Sequence, residues 1–488
     1  MKTNHLLLLA SLTIGLGGCA VGPDYHQPNA PAPTQWNALA GGETNSAAPV
    51  AAWWKNFHDA ELDSLIERAA GSNLDLRIAQ ARVREARAQY RIASANLWPT
   101  VDATGSYARQ RQSQYQPLAG PGDHVLPIVP LNNNYYQSGF DASWEVDVFG
   151  GKRRATEAAG AQVAATQFGE REVLVTLLGE VARNYVEARG YQRRLEIARD
   201  NILAQEQSLA LTQNRFTNGL TSDLDVQQAA TLLATTRAVV PALETALAAA
   251  IHRLGVLLGQ TPEALETELA TVAPIPAAPP VVPVGLPSDL LLRRPDVALA
   301  ERQLAAATAN IGVAKADLFP KFFLTGTAGF QGVSGGDWFD AGSRFWSVGP
   351  TVQWNIFDAG RIRANIKVQN ARQEEALASY EQTALGAFED VENALTAYAK
   401  EQIRRQQLAA AVRSSEESLR LANQLYANGL SNFINVLDAE RSLYQAQDAL
   451  VQSDRTISAN LIALYKALGG GWETPDRPPQ FAQAKTVN

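Results

Sequence analysis

Polar and apolar residues alternate without a break between residues 140 and 148. The apolar positions are Phe140, Ala142, Trp144, Val146 and Val148. A two-residue period places them on one face of a β-strand and the polar residues between them on the other. Comparable alternation recurs elsewhere in the chain, and strands are predicted at about 100–112, 136–149, 320–331 and 345–357.

Two long stretches of strong helix formers follow the second and the fourth predicted strand. Residues 151–218 and 361–428 contain no proline and are rich in Ala, Glu, Arg, Leu and Gln. Each would be about 100 Å long as an unbroken helix, which is longer than a compact globule is wide. Each stretch ends at Asn-Gly, a helix-stop signal in which glycine is free to take a positive φ.

Shorter helices are predicted on either side of these elements. The first helix is predicted over about 61–97, where Pro99 stops it. A helix follows each long stretch, over 220–258 and 430–468. In the last of these, apolar residues recur at spacings of seven, three and four, which is typical of a coiled-coil seam. Pro241 interrupts its counterpart and predicts a kink there.

The predicted elements occur twice in the same order. The triplet Asn-Gly-Leu at 218–220 recurs at 428–430, an offset of 210 residues, and Leu-Gly at 258–259 recurs at 468–469 with the same offset. We therefore predict two repeats, each with a helix, two strands, a long helix and a second helix. The predicted organisation is an extended N-terminal segment 19–60, repeat 1 at 61–259, a proline-rich crossing segment 260–288, repeat 2 at 289–469 and a tail 470–488.

Composition excludes several classes of protein. The 488 residues include 42 Lys+Arg and 49 Asp+Glu, a net charge of −7, so the basic footprint of a nucleic-acid-binding protein is missing. No run of 18 or more apolar residues occurs, which argues against a helical membrane transporter. One cysteine excludes a disulfide framework. The five histidines form no catalytic or metal-binding motif, so we predict no enzyme activity, cofactor or metal.

The N-terminus has the pattern of a bacterial export signal. Lys2 precedes an apolar run over 6–16, and the small residues Gly-Gly precede Cys19. This pattern predicts a signal peptide at 1–18. The sequence up to Cys19 resembles the bacterial lipobox, which implies a diacylglycerol and palmitate on this cysteine at the start of the mature chain. Ala20 stands where the inner-membrane retention signal of such lipoproteins has Asp, which favours the outer membrane.

The strands are of a kind that occurs in outer-membrane barrels. Such strands have about ten residues, one apolar face and aromatic residues near their ends. Taken singly, each strand would also fit a sheet with one face in water. Together with a lipoprotein signal, they predict lipid-facing positions at Phe140, Trp144, Trp346 and Trp354.

Four strands are too few to close a membrane barrel, which needs about eight. An open sheet edge in lipid would leave backbone groups unpaired at several kcal/mol each. We therefore predict that several chains share the barrel. Two chains would give eight strands around a filled core, whereas three would give twelve strands around an open tube.

Three motifs resemble signatures of the outer membrane factor family, in its OprM/NodT lipoprotein branch related to TolC. They are Val-Gly-Pro-Asp-Tyr at 21–25, Leu-Pro-Ser-Asp-Leu-Leu-Leu-Arg-Arg-Pro-Asp at 286–296, and Leu-Tyr-Lys-Ala-Leu-Gly-Gly-Gly-Trp at 464–472. The resemblance covers essentially the whole mature chain. It implies a mainly α protein with membrane β structure, in which a long helical barrel of coiled-coil hairpins joins a 12-stranded β-barrel shared by a homotrimer.

The resemblance also implies a function. Such proteins conduct drugs and other small toxic compounds across the outer membrane, without chemistry of their own. Their partners are a periplasmic adaptor protein and an inner-membrane pump, commonly of the resistance-nodulation-division class. The helical part lies in the periplasm and ends in a gate. The turns expected at that tip, and expected to dock the adaptor, are Asn218, Gly219, Asn428 and Gly429.

Candidate gate residues follow the second of these turns. In the family, inward-pointing acidic residues occupy the positions of Asn435 and Asp438, which share one helical face. Here only Asp438 is acidic, and three such carboxylates around one axis would favour cations. Tyr426 matches a gate-lock position of the family. Ser431 stands where relatives have a basic lock residue, so we expect a different lock in this chain.

The first repeat offers two more acidic candidates. Asp225 aligns with Asn435 at the 210-residue offset, and Asp223 lies two positions before it. A periplasmic adaptor lipoprotein, which also contains long hairpin helices, stays an alternative to the channel. The alternating strands with Trp and Phe do not fit that alternative.

Overall fold

The computed structural model describes most of the chain, namely residues 20–28, 33, 36, 50–111, 132–277, 290–291 and 293–472. The predicted signal peptide, Cys19 and the tail after Trp472 lie outside the described residues. The chain divides into two compact units. The strand-bearing unit comprises residues 1–28, 84–164 and 301–378, and the helical unit comprises residues 29–83, 165–300 and 379–488.

Helices make up most of the described chain. They are α1 Ala60–Ser72, α2 Leu74–Ala95, α3 Gly151–Thr217, α4 Asp223–Leu257, α5 Pro295–Ala316, α6 Arg361–Ala427 and α7 Phe433–Ala467. Short 3-10 helices lie at Val50–Phe57, Pro262–Leu265 and Ala341–Ser343. Among the described residues, α4 alone is long and apolar enough to cross a membrane by length and composition. Core helices of water-soluble proteins pass the same test, so one such helix is weak evidence for a membrane span.

Two helices, α1 and α2, stand where the sequence pattern predicted one over 61–97. The break lies at Asn73, whose backbone is extended. Its side-chain oxygen accepts a hydrogen bond from the Leu76 amide at 2.9 Å, and its side-chain nitrogen donates to the Leu257 carbonyl at 2.8 Å. A buried asparagine thus caps the second helix and bonds to α4. By contrast, α4 continues through Pro241.

The strand-bearing unit contains a four-stranded antiparallel sheet in the order β1-β2-β3-β4. The strands are β1 Thr100–Arg111, β2 Asn132–Val146, β3 Lys321–Gly332 and β4 Arg344–Gln353. The four predicted strands are therefore present. β2 starts earlier than predicted because Asn132 continues the ladder with Arg111. It also ends earlier, because the Asp147 carboxylate accepts hydrogen bonds from the first backbone amides of α3, at Lys152 and Arg153.

The register of the sheet aligns the apolar positions of all four strands. Partners across the sheet include Val101 with Ala142, Phe140 with Ala328, and Ala328 with Trp346. Since paired residues share a face, these side chains form one apolar surface. Phe140 is 63% exposed and Trp346 is 76% exposed in the single chain. The opposite face is polar and carries Asp102, Asp141, Thr327 and Ser347.

The largest hydrophobic core of the described residues lies in the helical unit. Trp53 is 1% exposed and stacks on Tyr465 with ring centroids 5.4 Å apart. Leucines from α1, α4 and α7 complete this core, among them Leu62, Leu65, Leu254, Leu258, Leu461 and Leu464. The middle of α3 joins this core through Leu177, Val181 and Tyr185, and the C-terminal part of that helix leads to the residues described next.

Candidate functional site

Two turns of the same geometry terminate the long helices α3 and α6. Gly219 and Gly429 both have φ of +72°. The Leu220 amide donates to the Arg215 carbonyl at 2.8 Å, and the Leu430 amide donates to the Leu425 carbonyl at 2.9 Å. These six-to-one bonds are those of a Schellman motif, which requires a residue with positive φ and therefore favours glycine. We call residues 218–220 and 428–430 the tip turns; both are exposed.

A small hydrophobic cluster lies beside the tip turns. Its buried members, which we call the tip core, are Ala229, Tyr426, Phe433, Val436 and Leu437. The rings of Tyr426 and Phe433 have centroids 5.1 Å apart. Tyr426 is only 5% exposed, and its hydroxyl has no hydrogen-bond partner among the described residues. The candidate gate-lock tyrosine therefore contributes its ring to packing in the single chain.

Arg215 contacts Tyr426 in a way that the sequence did not indicate. Its guanidinium carbon lies 4.5 Å from the Tyr426 ring centroid, and its Nη1 donates to the Tyr426 carbonyl at 3.3 Å. This cation–π contact joins the end of α3 to the end of α6 across 211 positions of sequence. The only local signal is a basic residue in the last turn of a helix, which is common because it stabilises the helix dipole.

Each of the predicted gate residues on α4 and α7 bonds to a residue three or four positions away rather than to another candidate. Asp438 and Asn435 are exposed on α7, where Asp438 pairs with Arg441 at 2.6 Å. The Asn435 side chain donates to the Ser431 hydroxyl at 2.8 Å. Asp223 accepts from the Gln227 amide, and Asp225 accepts from the Thr221 hydroxyl. Each bond stays within one helical turn, and no group of three or more His, Cys, Asp or Glu residues in the described chain could hold a metal ion.

A seam of polar pairs joins α3 to α7 above the tip core. Arg194 pairs with Asp448 at 2.6 Å, Asn201 donates to Gln447 at 3.0 Å, and Ser208 donates to Glu440 at 2.5 Å. The three α3 residues are seven positions apart, and Arg215 continues the series with the same spacing. A heptad spacing keeps them on one side of the helix. We call these three pairs the polar seam.

In the strand-bearing unit, residues 20–28 pack as an N-terminal strap held by Arg154. This guanidinium bonds to Asp24 at 2.5 Å, to Glu157 at 2.8 Å and to the Val21 carbonyl at 3.4 Å. The arginine is 5% exposed. Burial alone would lower its pKa, but the hydrogen bonds that it donates to Asp24 and Glu157 outweigh burial and raise the pKa. The strap is therefore fixed by a buried charge that is fully paired.

Close backbone packing also holds the strap. A Cβ atom on Gly312 of α5 would lie 2.7 Å from the Arg154 Cγ and 2.8 Å from the Val21 carbonyl oxygen. No side chain larger than hydrogen fits at such distances without a shift. The residues immediately after Cys19 thus pack at a specific site, although Cys19 itself is outside the described residues.

Three of the four predicted lipid-facing residues lie within strands, and the fourth lies just after one. Phe140 and Trp144 are in β2 and Trp346 is in β4, but Trp354 follows the last residue of β4. The indole nitrogens of Trp144 and Trp354 donate to the carbonyls of Leu97 and Leu318, at 2.9 and 3.1 Å. In both repeats a tryptophan thus bonds to the segment that leads from a helix into the sheet.

The sheet, the paired long helices and the tip turns together define a protein class, and comparison with known proteins agrees. The outer membrane efflux protein family matches residues 65–260 and 286–470, and the chain belongs to this family. It is 36% identical over 481 residues to the solvent efflux pump outer membrane protein SrpC of Pseudomonas putida, covering 97% of this chain and 99% of that protein. It is 32% identical over 472 residues to the cation efflux system protein CusC of Escherichia coli, covering 96% of this chain and 99% of that protein.

The fold agrees as well. The structure of the outer-membrane channel OprN matches with a TM-score of 0.86 and 37% identity, covering 93% of this chain and 100% of that one. The predicted family, the outer-membrane location and the efflux-channel function are confirmed by these matches. The alternative of an adaptor lipoprotein is set aside, because the proteins that this chain resembles in sequence and in structure are outer-membrane efflux channels.

Proposed function

We propose that three copies of this chain form the outer-membrane conduit of a tripartite efflux system. The observation that carries the proposal is the four-stranded sheet, whose apolar face is exposed and whose two edge strands, β1 and β4, have one neighbour each. In lipid, an unpaired strand edge costs several kcal/mol for every unsatisfied backbone group. Pairing β4 of one chain with β1 of the next removes every edge.

Three chains are the smallest number that also leaves a passage. Twelve strands enclose an open lumen, whereas eight strands enclose a space that side chains fill. The polar face of the sheet then lines the passage, with Asp102 and Asp141 paired across β1 and β2. The apolar face, with Phe140, Trp144 and Trp346, contacts lipid. Trp354, just after β4, lies at the boundary of that face.

The N-terminal strap supports lipidation at Cys19. In this proposal signal peptidase removes residues 1–18, and a diacylglycerol and palmitate on Cys19 enter the outer membrane. The strap begins directly after that cysteine and is fixed to Arg154 and Gly312. A seated strap gives the lipid a defined position beside the sheet, which belongs to the same unit.

The tip turns and α7 supply the gate and the docking surface. Asn218, Gly219, Asn428 and Gly429 dock the periplasmic adaptor protein, and the adjoining Leu220 and Leu430 are exposed and apolar. Asp438, repeated three times around the axis, forms an acidic constriction that favours cations. In this proposal Asn435, Asp225 and Asp223 are polar wall residues of the same passage, and Tyr426 with Arg215 holds the tip together.

The conduit is passive and needs no cofactor. An inner-membrane pump, of the resistance-nodulation-division class by family resemblance, supplies the energy and selects the compound. SrpC is named for solvent efflux and CusC for cation efflux, so the same fold serves unlike cargo. We therefore propose that this chain conducts drugs or other small toxic compounds, named here only as a class.

Reconstitution of the full-length protein tests the proposal. Cross-linking should give a trimer, and planar bilayers should record small cation-selective pores. Asp438→Ala should increase conductance and reduce cation selectivity. Glu417→Ala is the matched control, because Glu417 is an equally exposed carboxylate paired with an arginine three residues later. A monomer without conductance would refute the conduit, and equal effects of both substitutions would refute the acidic constriction.

A further inference from the structure

Glu440 is a buried acid that the proposed conduit does not use. It lies on α7 in the polar seam and is 5% exposed. Its Oε1 accepts a hydrogen bond from the Ser208 hydroxyl at 2.5 Å, while its Oε2 has no partner among the described residues. A carboxylate in such a place normally pairs with a cation or with several donors.

A second buried side chain with orphaned atoms lies on the facing helix. Gln205 is 3% exposed, and both its amide nitrogen and its amide oxygen lack partners within the described chain. It precedes Ser208 by three residues and therefore shares its face of α3. A neutral Glu440 carries one hydroxyl donor and no charge, and the Gln205 oxygen, on the same face of α3 as Ser208, is an unpaired acceptor. An ionised Glu440 adds a charge and no donor.

Several charged groups on the neighbouring helices are engaged in contacts of their own. On α7, Asp438 pairs with Arg441. Glu206 of α3 pairs with Arg237 of α4, and Glu417 of α6 pairs with Arg420. Arg215 lies on the ring of Tyr426. Among the described residues, the Ser208 hydroxyl is the only hydrogen-bond donor to the Glu440 carboxyl.

We propose that Glu440, Ser208 and Gln205 form a proton-linked latch between α3 and α7, closed when Glu440 is neutral and weakened when it is ionised. An uncompensated charge in a dry contact is costly, so ionisation favours separation of the helices and access of water to the carboxylate. The latch adjoins the tip core, since Leu437 lies one turn before Glu440. Acidification therefore holds the tip closed, and neutral or higher pH makes opening easier.

The direction of the pH effect follows from the titration of Glu440. Burial raises its pKa, and the hydrogen bond from Ser208 offsets only part of that increase. A group whose pKa is raised in the packed state stabilises packing at pH below its ordinary pKa. That stability is lost as pH rises through the raised pKa. Ser208→Ala removes the partial offset and should move the midpoint further upward.

The latch rests on the proposed conduit for its effect on conductance, so two measurements are needed. Infrared difference spectra of the full-length protein in detergent should show a protonated carboxyl band that Glu440→Gln removes. In planar bilayers, the open probability should rise by about tenfold or more from acidic to neutral pH in the wild type. Glu440→Gln, isosteric and always neutral, should stay at the low value throughout. Glu417→Gln, at an exposed carboxylate of α6 that belongs to neither the latch nor the constriction, is the matched control and should keep the rise.

The outcomes separate the latch from the conduit. If no pores form but the carboxyl band titrates with a raised midpoint, the conduit fails and the latch stands as a property of the α3–α7 contact. If pores form and Glu440→Gln has the same pH dependence as the wild type, the latch is refuted. An unshifted midpoint in Ser208→Ala would also overturn it.

Discussion

The contact between Arg215 and Tyr426 offers a sharp test of the proposed gate. We consider Arg215→Met, which keeps an unbranched side chain of similar length and a strong helix former at the end of α3. The substitution removes the cation from the Tyr426 ring and the donor from its carbonyl. The packing of Tyr426 against Phe433 is untouched, so the chain should fold as before.

The size of the effect can be worked from the geometry. At 4.5 Å from the centroid of a buried ring, the cation–π contact is worth about 1 kcal/mol or slightly more. The 3.3 Å hydrogen bond is long, and we assign it about 1 kcal/mol. Together they stabilise the closed tip by about 2 kcal/mol per chain, which corresponds to roughly a 30-fold change in the closed-to-open ratio.

Single-channel recording measures this ratio directly. We expect Arg215→Met to increase the open probability roughly 30-fold for each independently opening chain. Arg199→Met is the matched control on the same helix, because Arg199 forms an exposed ion pair with Glu244 and such pairs contribute little. Tyr426→Phe should behave as the wild type, since the lost hydroxyl has no partner. An Arg215→Met channel that opens no more often than the wild type would refute the reasoning.

Two further predictions concern the N-terminus. Cys19→Ser should abolish incorporation of labelled palmitate, and labelling equal to the wild type would contradict lipidation at this residue. Gly312→Ala should displace the strap and expose residues 20–28 to limited proteolysis, because its Cβ would meet Arg154 and Val21. The control Gly386→Ala, with open space around its Cβ, should leave cleavage unchanged and stabilise α6 by about 1 kcal/mol.

The repeating pattern of the chain is sufficient to predict most of its elements. Alternation of apolar residues and proline-free runs of helix formers are local signals, and the two-residue and 3.6-residue periods distinguish strand from helix. The break at Asn73 was missed, because an asparagine within a helical pattern gives no warning that its side chain will bond to Leu257. Helix boundaries depend on such distant partners as well as on propensity.

The site was less accessible to sequence reasoning. The tip turns were predictable, since glycine after a helix is a backbone requirement. The contacts of Arg215 and Glu440 join residues 211 and 232 positions apart, and only the packing of α3 brings them together. Burial of Glu440 could not be inferred from a charged residue beside Arg441 on an amphipathic helix. The sequence predicts the two turns, and the structure shows which side chains pack beside them.

The two open edges of the sheet also bear on how the protein reaches its membrane. A lone chain would enter lipid with β1 and β4 unpaired, so it gains little from insertion until neighbours close those edges. Insertion and oligomer formation should therefore be one cooperative event, whose rate depends steeply on the supply of newly exported chains. In the proposed trimer a passage forms only on assembly, so chains awaiting partners should leave the permeability barrier of the cell intact.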